Sequence, residues 1–469
     1  RVERLLEEII RPDAFFCIDN KPFILFFENL ENKNKKLKKI WNFNESPIIF
    51  ISSEDSLEIY NGFEFLEDKE TLRLFGNGEI LNDFTYFKLV TGETWEKYEA
   101  DFQAKKRVDY KLLKNIEAAQ KKIQTYNVER YLANALLGKV IFVRYLIDRK
   151  VKLDFEQSGS RIWSNQEFCS LLLDRRKVNS FFNYLKEKFN GNLFQLTDEE
   201  LESIPQESFK TVVNLLSGDE ISSGQISLFN HYDFSIIPVE FISNVYELFI
   251  GKDQQESKGA YYTPLFLVDY ILSQTVQKRF DEQKSNYSCR VLDPSCGSGI
   301  FLVETLRKII EQFRANNPDL KTNTTEYKDA LKKLATQNLF GVDKDRSAVD
   351  IAIFSIYLTL LDYQSRSDIE TFKFPLLFGK NFFSYDFFDE EAEFNNVFKN
   401  IEFDFILGNP PWKEYGIGKL GKKYLNNRIS REVDKKYQIG INNGEIVEGF
   451  IFRAGDFAKI NTQIAFVIK

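Results

Sequence analysis

Methionine is absent from all 469 residues, and the first position is arginine. A translated chain starts with methionine, so we expect methionines to have been lost and motif spacings to be short by as many positions. An intact mass equal to 55.0 kDa would dismiss that expectation. Histidine occurs once, and the four cysteines (Cys17, Cys169, Cys289, Cys296) form no Cys-x-x-Cys pair. Zinc sites and disulfide frameworks both draw on such residues in close pairs, and the pattern argues against either. No apolar run reaches the ~18 residues that a membrane span needs. The longest, "AIFSIYLTLL" at 352–361, reads as buried helix, and "RVERLLEEII" at the start reads as a charged amphipathic helix, not a leader. A cytoplasmic protein with no membrane partner is the plain expectation. Positive charge is also short, with 63 Lys and Arg against 70 Asp and Glu and a net charge of −7. That argues against uniform adhesion to nucleic acid but leaves room for a local basic face.

What is present is ordinary for a globular protein: 43% hydrophobic and 28% charged residues, in a chain long enough for two or three domains. Residues 1–100 alternate strand-like runs with turns: "AFFCIDN", "PFILFFEN", "PIIFISSED", "SLEIYNGF". From 101 to 250 the pattern is helical, with Leu112, Ile116, Ala119, Ile123 and Tyr126 at three- and four-residue steps. The basic runs "KNKKLKK" (33–39) and "KKR" (105–107) read as solvated surface before they read as DNA contacts. From 251 to 469 strand, loop and helix alternate, which predicts an α/β domain with a doubly wound parallel sheet.

Four stretches in that last region carry chemistry. In "CRVLDPSCGSGIFLVETLRKII" (289–310) a short strand ends at Asp293 and a helix starts near Ile300. Between them lie Pro294, Ser295 and Cys296. Gly297 and Gly299 remove the Cβ atoms that would keep a ligand from the backbone at a helix N-terminus. No Gly-Lys-Ser/Thr follows, so this is not a phosphate loop; a tight turn without a ligand stays open. In "LFGVDKDRSAVDIAIFSIYLTLL" a second strand ends at Asp343, where such sheets hydrogen-bond ribose hydroxyls, while Asp345 suits a helix N-cap better. "NFFSYDFFDEE" sets Asp386 beside Phe387, an acid and a ring that could grip a purine. Finally "FDFILGNPPWKEY" (403–415) ends a core strand on Asn409, Pro410, Pro411 and Trp412. The prolines stiffen the corner and remove two donors, so it presents acceptors. Two acceptors at one point suit an amine bearing two hydrogens, and Trp412 could stack on the heterocycle that carries it. An ordinary Asn-Pro turn is the alternative for the tetrapeptide alone.

Taken in order, these motifs resemble the gamma-class adenine-N6 DNA methyltransferases of restriction–modification systems. "LDPSCGSGIF" is similar to their cofactor loop, "GVDKD" to their ribose-binding acid, "YDFF" to their adenine-contact motif and "NPPW" to their catalytic tetrapeptide. "GAYYTP" (259–264) is similar to the preceding cofactor motif, with Tyr262 and with Thr263 against the methionine part of the cofactor. The resemblance implies a Rossmann-like methyltransferase sheet that binds S-adenosyl-L-methionine. It further implies that double-stranded DNA is the partner, that an adenine is flipped into the pocket, and that Asn409 and Pro410 hold its N6. Asn409 lies only 23 positions after Asp386, so no recognition domain is inserted there. The family continues to an aromatic under the flipped base and a recognition domain, and both are expected to be missing from this sequence. The segment 413–436, with eight Lys/Arg against three acids, reads as a basic loop over phosphate or a bare exposed loop.

Upstream, "SPIIFISSEDSLEIYNGF", "LLGKVIFVRYLIDRK", "FNGNLF" and "YDFSIIPVEFISNVYELF" resemble segments of fused type IIG-like restriction–modification proteins. That resemblance implies a nuclease-like α/β domain over 1–100 and a helical connector over 101–250. A nuclease of this kind holds Mg²⁺ with a Pro-Asp and a Glu-x-Lys. Pro12-Asp13 is present and a strand ends at Glu28, but Leu30 stands where lysine is required and the displaced Glu31-Asn32-Lys33 falls in a loop. The expectation is a nuclease-like fold with degenerate chemistry. Methyl transfer to a protein amide, and a catalytically silent DNA-binding defence component, are the rival readings. A restriction or specificity partner is compatible with any of them.

Overall fold

The computed structural model describes residues 2–18, 21–155, 159–189, 196–218, 221, 232–237, 263–412, 417–431 and 445–468. The chain divides into two compact units: residues 1–153, 160–178 and 199–241 form one, and residues 154–159, 179–198 and 242–469 the other. The first sheet and the helices after it therefore share a unit, where the sequence suggested a division at residue 100. A late segment also folds back onto helix Lys33–Phe43, which crosses between two strands of that sheet. Tyr232 stacks on Trp41, and the Asn42 side chain accepts the Asp233 N–H.

In the N-terminal unit, strands β1 (Ala14–Ile18), β2 (Lys21–Glu28), β3 (Ile48–Ser53), β4 (Ser56–Leu66) and β5 (Thr71–Asn77) form one sheet in that order. Only β2 and β3 are parallel, and helix Lys33–Phe43 makes their crossover. The first four strands match the runs expected from sequence. Ile48, Ile49, Phe50 and Ile51 are buried in β3. The basic run at 33–39 is the outer part of this crossover helix, which buries Leu37, Ile40 and Trp41 at helical spacing. Two of its lysines are engaged within the unit: Lys33 pairs with Glu58, and Lys36 reaches the Ile9 carbonyl. In the second run Lys106 pairs with Glu64, and Arg107 lies over the Phe63 ring while donating to the Asn44 carbonyl. Helices Val108–Gln124 and Arg130–Asp148 follow, the first burying Leu112, Ile116, Ala119 and Ile123 as the spacing predicted. A two-residue ladder joins β6 (Lys152–Leu153) to β7 (Arg161–Ile162).

The C-terminal unit is built on β8 (Val291–Asp293), β9 (Leu339–Asp343), β10 (Phe382–Ser384), β11 (Phe405–Gly408) and β12 (Gln463–Phe466). Their order is β10-β9-β8-β11-β12, and every pairing is parallel. Parallel neighbours need crossovers, which Ile300–Asn316, Thr325–Asn338 and Arg346–Asp362 supply on one side of β8. Side chains alternate across the sheet. Leu292, Phe340, Val342, Phe383 and Ile406 face a phenylalanine-rich core with Phe387, Phe388, Phe394, Phe398 and Phe403. After β8 the chain winds one way to β9 and β10, then returns past β8 to β11 and β12. The strand order therefore reverses between β8 and β11, and ligands of open α/β sheets bind beyond the carboxyl ends at such a point.

Candidate active site

Beyond β8 the chain turns sharply at Pro294 and Ser295, and the Cys296 N–H donates to the Val342 carbonyl of β9 at 2.9 Å. Gly299 has φ +84, and a Cβ there would lie 2.9 Å from the Ala352 Cβ on the neighbouring helix. Both backbone and packing demand glycine. Gly297 also has positive φ (+51), but a Cβ on it would meet nothing nearer than the Ser295 carbonyl at 4.0 Å. Among the described residues nothing else stands within 4 Å of that position, which leaves the space in front of Gly297 open to them.

Asp343, at the end of β9, holds this loop. Its Oδ2 accepts the Gly297 N–H at 2.9 Å and its Oδ1 accepts the Asp345 N–H at 2.8 Å. Asp345 caps the next helix through the Ser347 N–H, the division of labour that the sequence suggested for these two acids. Asp293 is 2% exposed, and its Oδ1 accepts the Ser295 N–H at 3.1 Å. Burial, and then the charge of Asp343, push its carboxyl up to about 8 against the pull of that hydrogen bond. Burial likewise raises the Cys296 thiol, which makes it a packing group rather than a nucleophile.

β11 lies directly beside β8, with Phe405 opposite Val291 and Ile406 opposite Leu292. Its last residue, Gly408, has no side chain for a specific reason: a Cβ would stand 2.6 Å from the Asp293 Oδ1. Asn409 follows, and its Nδ2 donates to the Thr263 Oγ1 at 3.1 Å, joining residues 146 positions apart. Pro410 is buried and Pro411 half-buried. The Trp412 indole N–H donates to the Val467 carbonyl just beyond β12 at 3.1 Å. Tyr262 and the rest of "GAYY" lie outside the described residues, as do 413–416 and 432–436. The structure therefore brings Asp293, Gly297, Asp343, Thr263 and Asn409 to one end of one sheet. The sequence reading missed Gly408, although a glycine ending an apolar strand against a partner's acid is a readable sign of close approach.

Two expectations need correction. Phe387 is 2% exposed, with its ring stacked between Phe394 and Phe450 in the core. That packing leaves no face for a purine, so of the pair only Asp386 points outward, accepting the Phe388 N–H and facing Lys344 at 3.5 Å. The segment 413–436 is also not simply a loop. Gly418–Arg431 is helical, with Tyr424 buried and Leu420 packed on the same aromatic core. The Phe387 turn is fixed from behind by Arg453, 4% exposed, whose Nε donates to the Phe387 carbonyl and whose guanidinium also bonds Asp456 and Asn395.

In the N-terminal unit the Asp13 Oδ2 accepts the Glu28 backbone N–H at 2.7 Å, which ties the Asp13 side chain to the backbone at the end of β2. The displaced Lys33 is bound to Glu58 instead, and Leu30 offers no cation. Among the described residues no group of three or more His, Cys, Asp or Glu could hold a metal ion.

The switch point suits a nucleoside cofactor on its own terms. The cradle before Gly297 is open, and the buried Ser295 Oγ has no hydrogen-bond partner among the described residues. A bound polar group would satisfy it. Together the sheet order, glycine loop and strand-end acid define a doubly wound, nucleotide-type α/β domain ending in an Asn-Pro-Pro-Trp corner.

Comparison with known proteins makes the class particular. Residues 337–469 match the family described as Eco57I restriction-modification methylase. It is 24% identical over 379 residues to the type II restriction enzyme and methyltransferase RM.Eco57I of Escherichia coli, covering 72% of this chain and 35% of that protein. It is 23% identical over 356 residues to the type I restriction enzyme MjaVII methylase subunit of Methanocaldococcus jannaschii, covering 70% of this chain and 58% of that one. In each case the chain spans less than two thirds of the relative's length. Among solved structures, the type IIL restriction-modification enzyme MmeI in complex with DNA superposes with a TM-score of 0.50 at 16% identity, over 76% of this chain and 50% of that one. That likeness is one of fold. No helix among the described residues is long and apolar enough to cross a membrane.

Proposed function

We propose that the C-terminal unit transfers a methyl group from S-adenosyl-L-methionine to N6 of an adenine flipped out of duplex DNA, as part of a restriction–modification protein. One observation carries this reading: the open Gly297 loop and the Asn409 corner stand at the ends of neighbouring strands, β8 and β11, on the two sides of the switch point. The matched family and the names of the relatives support the same reaction class.

The cofactor, when bound, supplies a sulfonium-borne methyl group. Thr263, the 293–299 loop and Asp343 would hold it, with Asp343 and the Ser295 hydroxyl offering polar atoms at the glycine cradle. Flipping the base costs a few kcal/mol and exposes its amine to the corner. Asn409 Oδ1 and the Pro410 carbonyl accept the two N6 hydrogens, which turns the nitrogen lone pair outward and lets positive charge develop against fixed dipoles. The proton leaves after transfer, so no tuned general base is required. Trp412, held through its indole N–H, presents its ring to the base, and Asp386 lies at the rim. Mg²⁺ enters only if the N-terminal unit cleaves DNA.

The test is to incubate the protein with methyl-labelled cofactor and either unmethylated plasmid DNA or protein acceptors. Label in N6-methyladenine supports the reading. Label in protein, or none in either, overturns it.

A further inference from the structure

We propose that Thr263 is a positioning residue for Asn409: it fixes which arm of the asparagine amide meets the target amine. This rests on the reaction proposed above and adds a role to a residue that the resemblance ties only to the cofactor. An asparagine amide has a donor arm and an acceptor arm of nearly the same shape. Rotated by half a turn, it would aim an NH₂ at an amine that is itself a donor, and the corner would repel its substrate. The prolines stiffen the backbone but leave the Asn409 side-chain torsion free. The Asn409 Nδ2 lies 3.1 Å from the Thr263 Oγ1, and once the hydroxyl gives its own proton elsewhere it can only accept, which commits the donor arm to Thr263 and leaves Oδ1 as the opposite arm.

Thr263 can do this because it is itself held. It is 7% exposed and is followed by Pro264 and helix Leu265–Leu272, which packs on the helix starting at Ile300 directly after Gly299. The anchor of the amide is thus built on the same helix pair as the glycine loop. A hydroxyl that accepts from Asn409 still has its own proton to give. In the proposed site that proton would go to an anionic group of the bound cofactor, so one hydroxyl would tie cofactor binding to the readiness of the corner. Valine at 263 keeps the shape and loses both functions, whereas serine keeps both.

Two measurements on the full chain decide it. The first needs no catalysis: a double-mutant cycle of Thr263→Val and Asn409→Ala on the unfolding of the C-terminal unit without ligand. A coupling of about fivefold in the unfolding equilibrium is expected, the size of one hydrogen bond. Additive variants would overturn the inference. The second is single-turnover methylation of plasmid DNA at saturating S-adenosylmethionine. Thr263→Val is expected to be slower by on the order of ten- to a hundredfold, with Thr263→Ser within about threefold of the parent. A Thr263→Val protein that regains the parent rate once cofactor saturates would show a cofactor contact only, sinking this inference but not the proposed function. Failure of the unaltered protein to methylate would count against the function, and the unfolding cycle would still decide the inference.

Discussion

The two sheets of this chain both end strands on acids, yet among the described residues only the C-terminal one gathers several candidate residues at one end. In the N-terminal sheet the Asp13 carboxylate is taken up by the Glu28 backbone, and the nearest displaced lysine is bound to Glu58. In the C-terminal sheet three strand ends converge: β8 brings Asp293 and the glycine loop, β9 brings Asp343, and β11 brings Asn409. The acids there hold loops open rather than each other. Asp343 accepts two backbone N–H groups and sets Gly297 at the mouth of an unfilled space. Chemistry in such a fold depends less on a matched tripeptide than on whether the sheet order brings distant strand ends side by side.

The largest expected effect breaks this comparison in the plainest way. Asn409→Ala removes the acceptor that the proposed reaction uses as charge develops on N6, and it is expected to slow methylation by about 10²–10³-fold. Asp13→Ala and Glu28→Ala are expected to leave methylation at the parent rate. Label incorporation into DNA checks both. DNA cleavage with Mg²⁺ that is lost in Glu28→Ala would show that the N-terminal sheet carries a working site after all.

That contrast was partly legible in the sequence. The parallel sheet could be read because each strand end carries a local mark: Asp293 before a glycine turn, Asp343 before a capped helix, Asn409 before two prolines. What could not be read was which way a ring points. Phe387 sits in a run where every phenylalanine looks alike, and only the packing of Phe394, Phe450 and Arg453 around it settles that it is core. The helix over 418–431 was hidden for a similar reason, since its charges mask the few residues, Leu420 and Tyr424 among them, that anchor it. In the N-terminal half, the contact of Asn42 with Asp233 spans 191 positions and leaves no local pattern to find.

A second prediction concerns what lies behind the site. Arg453 is a buried cation bonded to a carbonyl, a carboxylate and an amide oxygen, with Phe387, Tyr424 and Phe457 around it. Arg453→Leu leaves those acceptors in the core and is expected to destabilise the C-terminal unit by roughly 3 kcal/mol. Chemical denaturation should show the loss in that unit while the N-terminal transition stays in place. One shift common to both transitions would contradict it.

A smaller effect is expected at the switch point itself. Gly408→Ala drives a methyl to 2.6 Å from the Asp293 carboxylate, where strand and loop backbones leave little room. Overpacking of this kind costs about 1–3 kcal/mol. Combining it with Asp293→Ala should recover part of the loss, and a strictly additive pair would show that the contact is not the cause.

The last comparison separates the two units by pH. Buried acids with raised values keep a proton that the unfolded chain has released, so stability falls as pH climbs from the ordinary value of 3.8 towards the folded one and then levels off. In the N-terminal unit Asp148, raised by burial to about 6 despite Arg144, should bring that fall to an end near pH 6. In the C-terminal unit Asp350 behaves alike, also near 6, but Asp293 extends the fall to about 8. One proton difference is worth about 1.4 kcal/mol per pH unit. Between pH 6 and 8 the C-terminal unit should therefore lose stability while the N-terminal unit holds level. Asp293→Asn, which keeps an acceptor for the Ser295 N–H, should flatten the C-terminal unit over the same window. Unfolding curves followed unit by unit by hydrogen exchange would show it, and an unchanged slope in Asp293→Asn would place the titrating proton elsewhere.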